Sequence, residues 1–256
     1  MNNPISRKIV ITRSLEQSKD LIQILGKEHI PYIIAPVIKI IPLPLTDQLK
    51  KILHQIDTYD MVLFTSSNAV RYFFYFLLNQ FIPQKKYAKI RYACLGEKTK
   101  KTLESYGYKA EFIGKTTTGD RFISDFLEHY QKLNRLNIFI PVSKLADQSK
   151  FNRLKIKDWE IETVPIYNTV RNQSLPESII QQIKEEKDIV LTFFSPSAVR
   201  FFLEIIPVTH FNPNWTIAAI GDTTRNALEQ KNIPVHVVPE KSTSEELVKA
   251  IKKYFS

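Results

Sequence analysis

A chain of 256 residues, 43% hydrophobic and 24% charged, has the composition of an ordinary folded protein and length for one large domain or two of moderate size. One cysteine, Cys94, excludes an internal disulfide framework and a cysteine-rich metal site, and five scattered histidines offer no pair at metal-ligand spacing. The formal charge of +10 asks for an acidic partner, which could be nucleic acid, an anionic membrane surface, or a small molecule with several carboxylates or phosphates.

From the amino end, "MNNPISRKIVITR" carries no apolar core of signal-peptide length. "KIVITR" (8–13) reads as a strand, and "SLEQSKDLIQILGKEH" after it as a helix, with Leu15, Leu21, Ile22 and Leu25 near a 3.6-residue period. "PYIIAPVIKIIPLPL" (31–45) is extended and proline-rich. Strand-like "DMVLFT" then leads into "YFFYFLL" (72–78), a helical core pattern too short to span a bilayer, so a soluble cytoplasmic chain is expected. "IRYACLG", with Cys94 as a small core residue, and "AEFIG" follow. "NIFIPV", a second extended segment "EIETVPIYNTVRNQSLP" (160–176), "DIVLTFF", "TIAAIG" and "VHVVP" complete the strands. These runs are continuously apolar and mostly separated by helical stretches, the pattern of a doubly wound parallel α/β design.

The chain also repeats itself. "NIFIPVSKLADQSK" from 137 aligns with "KIVITRSLEQSK" from 8, Pro165 with Pro36, and "FFSPSAVR" (193–200) with "FTSSNAVR" (64–71), all at one constant offset. "AAIGDTTRNALE" (218–229) aligns with "ACLGEKTKKTLE" (93–104), and "EKSTSEELVKAIKK" with "GKTTTGDRFISDFLE", at a slightly different offset. Two copies of one α/β unit therefore fill the chain. The two extended segments occupy equivalent places, so spatial domains that each borrow from both repeats, with a cleft between two lobes, are expected.

Each copy ends strands on hydroxyl clusters that begin helices. Ser66 and Ser195 are expected N-caps, with Pro196 in a first turn; "GEKT" (96–99), "GDTT" (221–224), "KTTTGD" (115–120) and "KSTSEE" (241–246) do likewise, the last with a capping-box spacing from Ser242 to Glu245. Capping alone accounts for any one of them. Six such starts along the carboxyl edge of the sheets form a set of free N–H groups, dipole ends and hydroxyls suited to carboxylates or phosphates. Arg71 and Arg200, one turn further on, fit either that edge or a solvated surface. "GKT" (114–116) lacks the remaining glycine of a phosphate loop, GxGxxG and GxSxG are absent, and Trp159 and Trp215 form no stacking series. A nucleic-acid partner is not expected.

The ordered set of "FTSSNAV", "VPIYNT", "FSPSAV" and "AIGDTTRNALEQKNIPVHVVPEKSTSEELVKAI" resembles the uroporphyrinogen-III synthase family over essentially the whole chain. The resemblance implies two flavodoxin-like doubly wound parallel-sheet lobes joined by a two-stranded β connector. One would hold 1–37 plus 169–256 and the other 41–165, with connectors near 36–42 and 164–170. It further implies a cyclising lyase that closes hydroxymethylbilane with inversion of the terminal pyrrole ring and loss of water. No cofactor and no metal are implied, the chain would act as a monomer, and a transient contact with hydroxymethylbilane synthase is left open. Residue by residue it carries over Tyr167 as proton donor, or else as a packed hinge tyrosine. It also carries over Thr65, Ser66, Ser67, Asn68, Thr99, Ser195, Ser197 and Thr224 as substrate-binding groups. Arg13 is a plausible carboxylate partner, and Ser143 stands with Pro141 and Val142 where the family commonly has an arginine-glycine pair; Lys144 is the nearest replacement charge. The competing reading is a non-catalytic two-lobed binding protein for an anionic small molecule.

Overall fold

The computed structural model of the chain describes residues 6–115, 119–155 and 158–256. In chain order the elements are β1 (Lys8–Ile11), α1 (Leu15–Lys27), β2 (Tyr32–Ile34), β3 (Ile38–Pro42), α2 (Asp47–His54), β4 (Met61–Phe64), α3 (Ser67–Asn79), α4 (Gln84–Tyr87), β5 (Arg91–Cys94) and α5 (Glu97–Glu104). There follow β6 (Phe112–Ile113), α6 (Gly119–Tyr130), β7 (Arg135–Ser143), β8 (Asp158–Arg171), α7 (Glu177–Glu185), β9 (Ile189–Phe193), α8 (Pro196–Ile205), β10 (Thr216–Ala219), α9 (Asp222–Glu229) and α10 (Ser244–Tyr254). Among the described residues no helix is long and apolar enough to cross a membrane.

The chain divides into two compact units. One joins the residues up to Lys39 with Val170–Ser256, and the other is the continuous stretch Ile40–Thr169. The first contains a four-stranded sheet in the order β10-β9-β1-β2, and the second is built on a sheet in the order β3-β8-β7-β4-β5-β6.

Both sheets bury both faces, which is why the strands show no polar alternation. Along β9, Ile189, Leu191 and Phe193 enter one apolar cluster, while Val190 enters another on the opposite face. Along β4, Val62 and Phe64 pack on one side and Met61 and Leu63 on the other. Each fully buried aliphatic or aromatic side chain contributes about 1.5–3 kcal/mol. Buried hydroxyls are satisfied: Thr192 Oγ1 donates to Val10 O at 2.7 Å, and Thr12 Oγ1 donates to Thr192 O at 2.7 Å, tying β1 to β9.

The sequence duplication reappears as matched register. Ile9 faces Val190 on one side and Tyr32 on the other; its counterpart Ile138 faces Met61 and Ile161, the counterparts of those two. Thr216 faces Val190 as Arg91 faces Met61. All of these ladders are parallel. Each sheet thus combines the first half of one repeat with the second half of the other. The expected strand "VHVVP" is reduced to a single parallel bridge from Ala218 to Val237, where the other copy pairs Ala93 with Phe112 of the two-residue β6.

Candidate functional site

At the carboxyl ends of β4 and β9 the chain turns into α3 and α8, and the two serines do the work expected of them. Ser66 Oγ accepts from Ala69 N at 3.0 Å, and Ser195 Oγ accepts from Ala198 N at 3.2 Å. Gly96 and Gly221 occupy the cap positions of α5 and α9, in extended backbone. Thr99 and Thr224 lie three residues on, where their N–H groups donate to the glycine carbonyls and the residues are only 5% and 3% exposed. The last helix start differs from expectation: Thr243, not Ser242, caps α10, accepting from Glu246 N at 3.2 Å. In "KTTTGD", Thr116, Thr117 and Thr118 lie outside the described residues.

Within the continuous unit the expected residues converge. Ser66 Oγ and Tyr167 Oη are 2.9 Å apart, and either hydroxyl can donate. Ser143 faces Tyr167 across the β7–β8 ladder at an irregularity between Val142 and Ser143. The Ser143 oxygen accepts from Leu145 N at 3.2 Å, and Lys144 N donates to Tyr167 O at 2.8 Å. Tyr167 is 6% exposed and belongs to the apolar cluster between α3 and the sheet. Burial raises its pKa above the usual phenol value, with the two serine hydroxyls pulling the other way, so the group stays a neutral donor.

Around this cluster, Thr65, Ser67 and Asn68 are half-buried. Ser67 Oγ donates to Lys98 O at 3.1 Å, and Arg71 Nη1 donates to Asn68 Oδ1 at 3.4 Å, which leaves Arg71 on the exposed side of α3. Cys94 is buried in the core, its thiol pushed up to about 12 by desolvation.

The other unit holds Arg13, Ser195, Ser197 and Thr224. Arg13, half-buried just beyond β1, lies with its guanidinium 4.1 Å from the centre of the Phe194 ring. Its Nε donates to Ser18 Oγ at 3.3 Å and its Nη2 to Ser244 Oγ at 3.1 Å. Burial lowers its pKa to about 10, with Asp20 opposing, so it remains charged at neutral pH. Its counterpart in the other repeat is Val142, so the two units are not chemically equivalent. Ser197 is half-buried in the first turn of α8, and Arg200 is exposed with its guanidinium 4.3 Å from the Phe201 ring centre.

The family model described as uroporphyrinogen-III synthase HemD matches residues 6–249. The chain belongs to the uroporphyrinogen-III synthase family. It is 26% identical over 97% of its length to the "Porphyrin biosynthesis protein HemD" of Ruminiclostridium josui, of which it spans 49%. It is 24% identical over 96% of its length to the uroporphyrinogen-III synthase of Chlorobaculum parvum, covering 98% of that protein. The chain thus spans about half the length of the first relative and nearly all of the second.

The fold is similar to the crystal structure of uroporphyrinogen-III synthetase from Helicobacter pylori, with TM-score 0.67, 21% identity, and coverage of 96% of this chain and 99% of that one. It is also similar to a mutant uroporphyrinogen III synthase from Thermus thermophilus, with TM-score 0.62, 16% identity, and coverage of 98% and 99%.

In this member of the uroporphyrinogen-III synthase family, sequence reasoning missed Tyr72. Its ring stacks on Tyr167 with centroids 5.5 Å apart and planes 14° from parallel. Tyr72 stands in "RYFFYF", where helical periodicity reads only as core. The available signal was its mismatch with the second repeat, which has Phe201 there.

Proposed function

We propose that the chain closes hydroxymethylbilane to uroporphyrinogen III, the family's activity in tetrapyrrole biosynthesis, with Tyr167 assisting departure of the terminal hydroxyl. The observation that carries this reading is the pairing of the Ser66 and Tyr167 hydroxyls, with Ser143 opposite Tyr167 on the neighbouring strand. A buried neutral phenol can give a proton to the leaving hydroxyl while Ser66 donates to the phenol oxygen. Water leaves, an electrophilic azafulvene remains, and the new carbon–carbon bond forms through a spiro intermediate. The proton lost when the final pyrrole regains aromaticity balances the one donated.

The substrate bears carboxylates all round. Arg13 and the helix starts at Ser66, Ser67, Asn68, Ser195 and Ser197 serve them, by charge, by free N–H groups and by hydroxyls. Thr65, Thr99 and Thr224 shape those starts from beside or beneath. We take the two compact units as the flavodoxin-like lobes and β3 with β8 as the connector strands, in a cytoplasmic monomer that needs no cofactor. Because the unassisted bilane closes without inversion, holding its ends in the less accessible geometry supplies much of the catalysis.

The test is to supply fresh hydroxymethylbilane to the purified protein and to separate the porphyrin isomers after oxidation. The inverted isomer is expected; the non-inverted isomer alone, at the rate seen without protein, overturns the reading.

A further inference from the structure

Tyr167 is held at two ends by one helix. Ser66, the N-cap of α3, meets its hydroxyl, and Tyr72, further along α3, covers its ring face. Tyr72 is itself anchored: its Oη donates to Ile40 O of β3 at 2.7 Å, and β3 lies beside β8, the strand that carries Tyr167. Its hydroxyl is therefore directed at a backbone carbonyl and not at the Ser66–Tyr167 pair. The ring also meets Tyr75 edge-on, with centroids 6.0 Å apart.

The second repeat gives an internal comparison. Ser195 caps α8 as Ser66 caps α3, and Phe202 is buried as Phe73 is. The positions matching Tyr167 and Tyr72 are Ile38 and Phe201. Both are apolar, so the fold of the matching repeat does not demand a phenol at either place. The hydroxyl that ties the stacking ring to β3 occurs only in the copy whose partner is a tyrosine.

We infer that Tyr72 is a positioning residue for catalysis: its anchored ring fixes the plane of Tyr167 and so aims the donor hydroxyl. The inference rests on the role proposed for Tyr167. Aromatic pairs of this kind contribute about 0.5–1.5 kcal/mol beyond burial, so loss of the ring is expected to lower kcat about three- to tenfold.

The test is a double-mutant cycle on turnover of hydroxymethylbilane, with folding checked by thermal unfolding. Tyr72→Leu removes the ring, and Tyr72→Phe keeps the stack while removing the tether to Ile40. With Tyr167 present, Tyr72→Leu is expected to lower kcat with KM little changed, and Tyr72→Phe, which keeps the ring but loses its anchor, to fall between Tyr72→Leu and the unchanged protein. In a Tyr167→Phe background, Tyr72→Leu is expected to lower kcat no further. Equal loss in both backgrounds, or full activity of Tyr72→Leu with Tyr167 present, overturns the positioning role. If Tyr167→Phe alone leaves kcat unchanged, the donor role falls first, and the positioning role with it.

Discussion

The hydroxyl oxygens of Ser66 and Tyr167 lie 2.9 Å apart although the two residues are 101 positions apart in the chain. Ser66 thus has two duties, capping α3 and meeting the phenol, whereas its repeat counterpart Ser195 has the cap, and the position matching Tyr167 there is Ile38, which carries no hydroxyl. Ser195→Ala is expected to cost about 1 kcal/mol for the lost cap, and Ser66→Ala about 1 kcal/mol more for the bond to the buried phenol. Only Ser66→Ala is expected to lower kcat. Parallel thermal unfolding and single-turnover kinetics check both, and equal kinetic effects would contradict the assignment.

Tyr167→Phe keeps the ring in its stack and deletes the proton. A drop in kcat of roughly ten- to a hundredfold is expected, near the low end of general acid assistance, because a neutral phenol is a weak donor. The inverted isomer should remain the product, since geometry and not the phenol selects it. An unchanged rate would remove Tyr167 from proton donation.

Arg13→Lys retains a positive charge but gives up the planar contact on Phe194 and the two-sided bonding to Ser18 and Ser244. KM is expected to rise about tenfold, consistent with weakening one charge-assisted contact, while kcat changes little. Initial-rate measurements over a substrate series separate the two. A fall in kcat alone would move Arg13 from binding to chemistry.

Burial raises the pKa of Tyr59, Tyr72, Tyr92, Tyr130 and Tyr167 above the free-phenol value. Unfolded tyrosines release their protons near pH 10, where these folded ones still hold theirs. The native state then binds more protons than the unfolded state. Stability from these groups is therefore full below about pH 10 and declines as pH rises toward the folded values. Urea midpoints near pH 8 and about pH 10.5, read together with phenolate absorbance, should show the midpoint falling and phenolate appearing with unfolding. Phenolate from the whole tyrosine set before unfolding would refute this.

Gly114 follows β6, and an added Cβ would stand 2.5 Å from Phe122 Cδ2 and 2.6 Å from Leu95 O. Gly114→Ala is expected to cost about 1–3 kcal/mol by overpacking. At Gly96 the same atom meets nothing within 4 Å, so Gly96→Ala should cost less than about 1 kcal/mol, the loss of a good cap residue. Denaturant titration of both variants provides the comparison.

The parallel sheets and the duplication were legible because buried strands and capped helix starts leave strong local marks, such as "DMVLFT" before Ser66 and "DIVLTFF" before Ser195. The α10 cap was not. Ser242 and Thr243 both have a glutamate three residues on, Glu245 and Glu246, so spacing offers two registers and packing chooses one. Tyr72 was hidden for another reason. Its role depends on a ring 95 positions away in sequence, and periodicity reports the buried face of a helix without naming what lies against it. Arg13 was identifiable from its place beyond β1, but Phe194 as its platform required the β1–β9 pairing.

The exchange of halves between repeats also sets a timetable for a chain emerging from the ribosome. Ile40–Thr169 is continuous, so that unit can close as soon as β8 is made. β1 must wait for β9, because Lys8 pairs with Ile189. At about 5–20 residues per second the delay between them is roughly ten to forty seconds. Throughout that interval β1 and β2 present an apolar, unpaired edge, and protecting it is the burden this chain accepts by sharing each sheet between two copies.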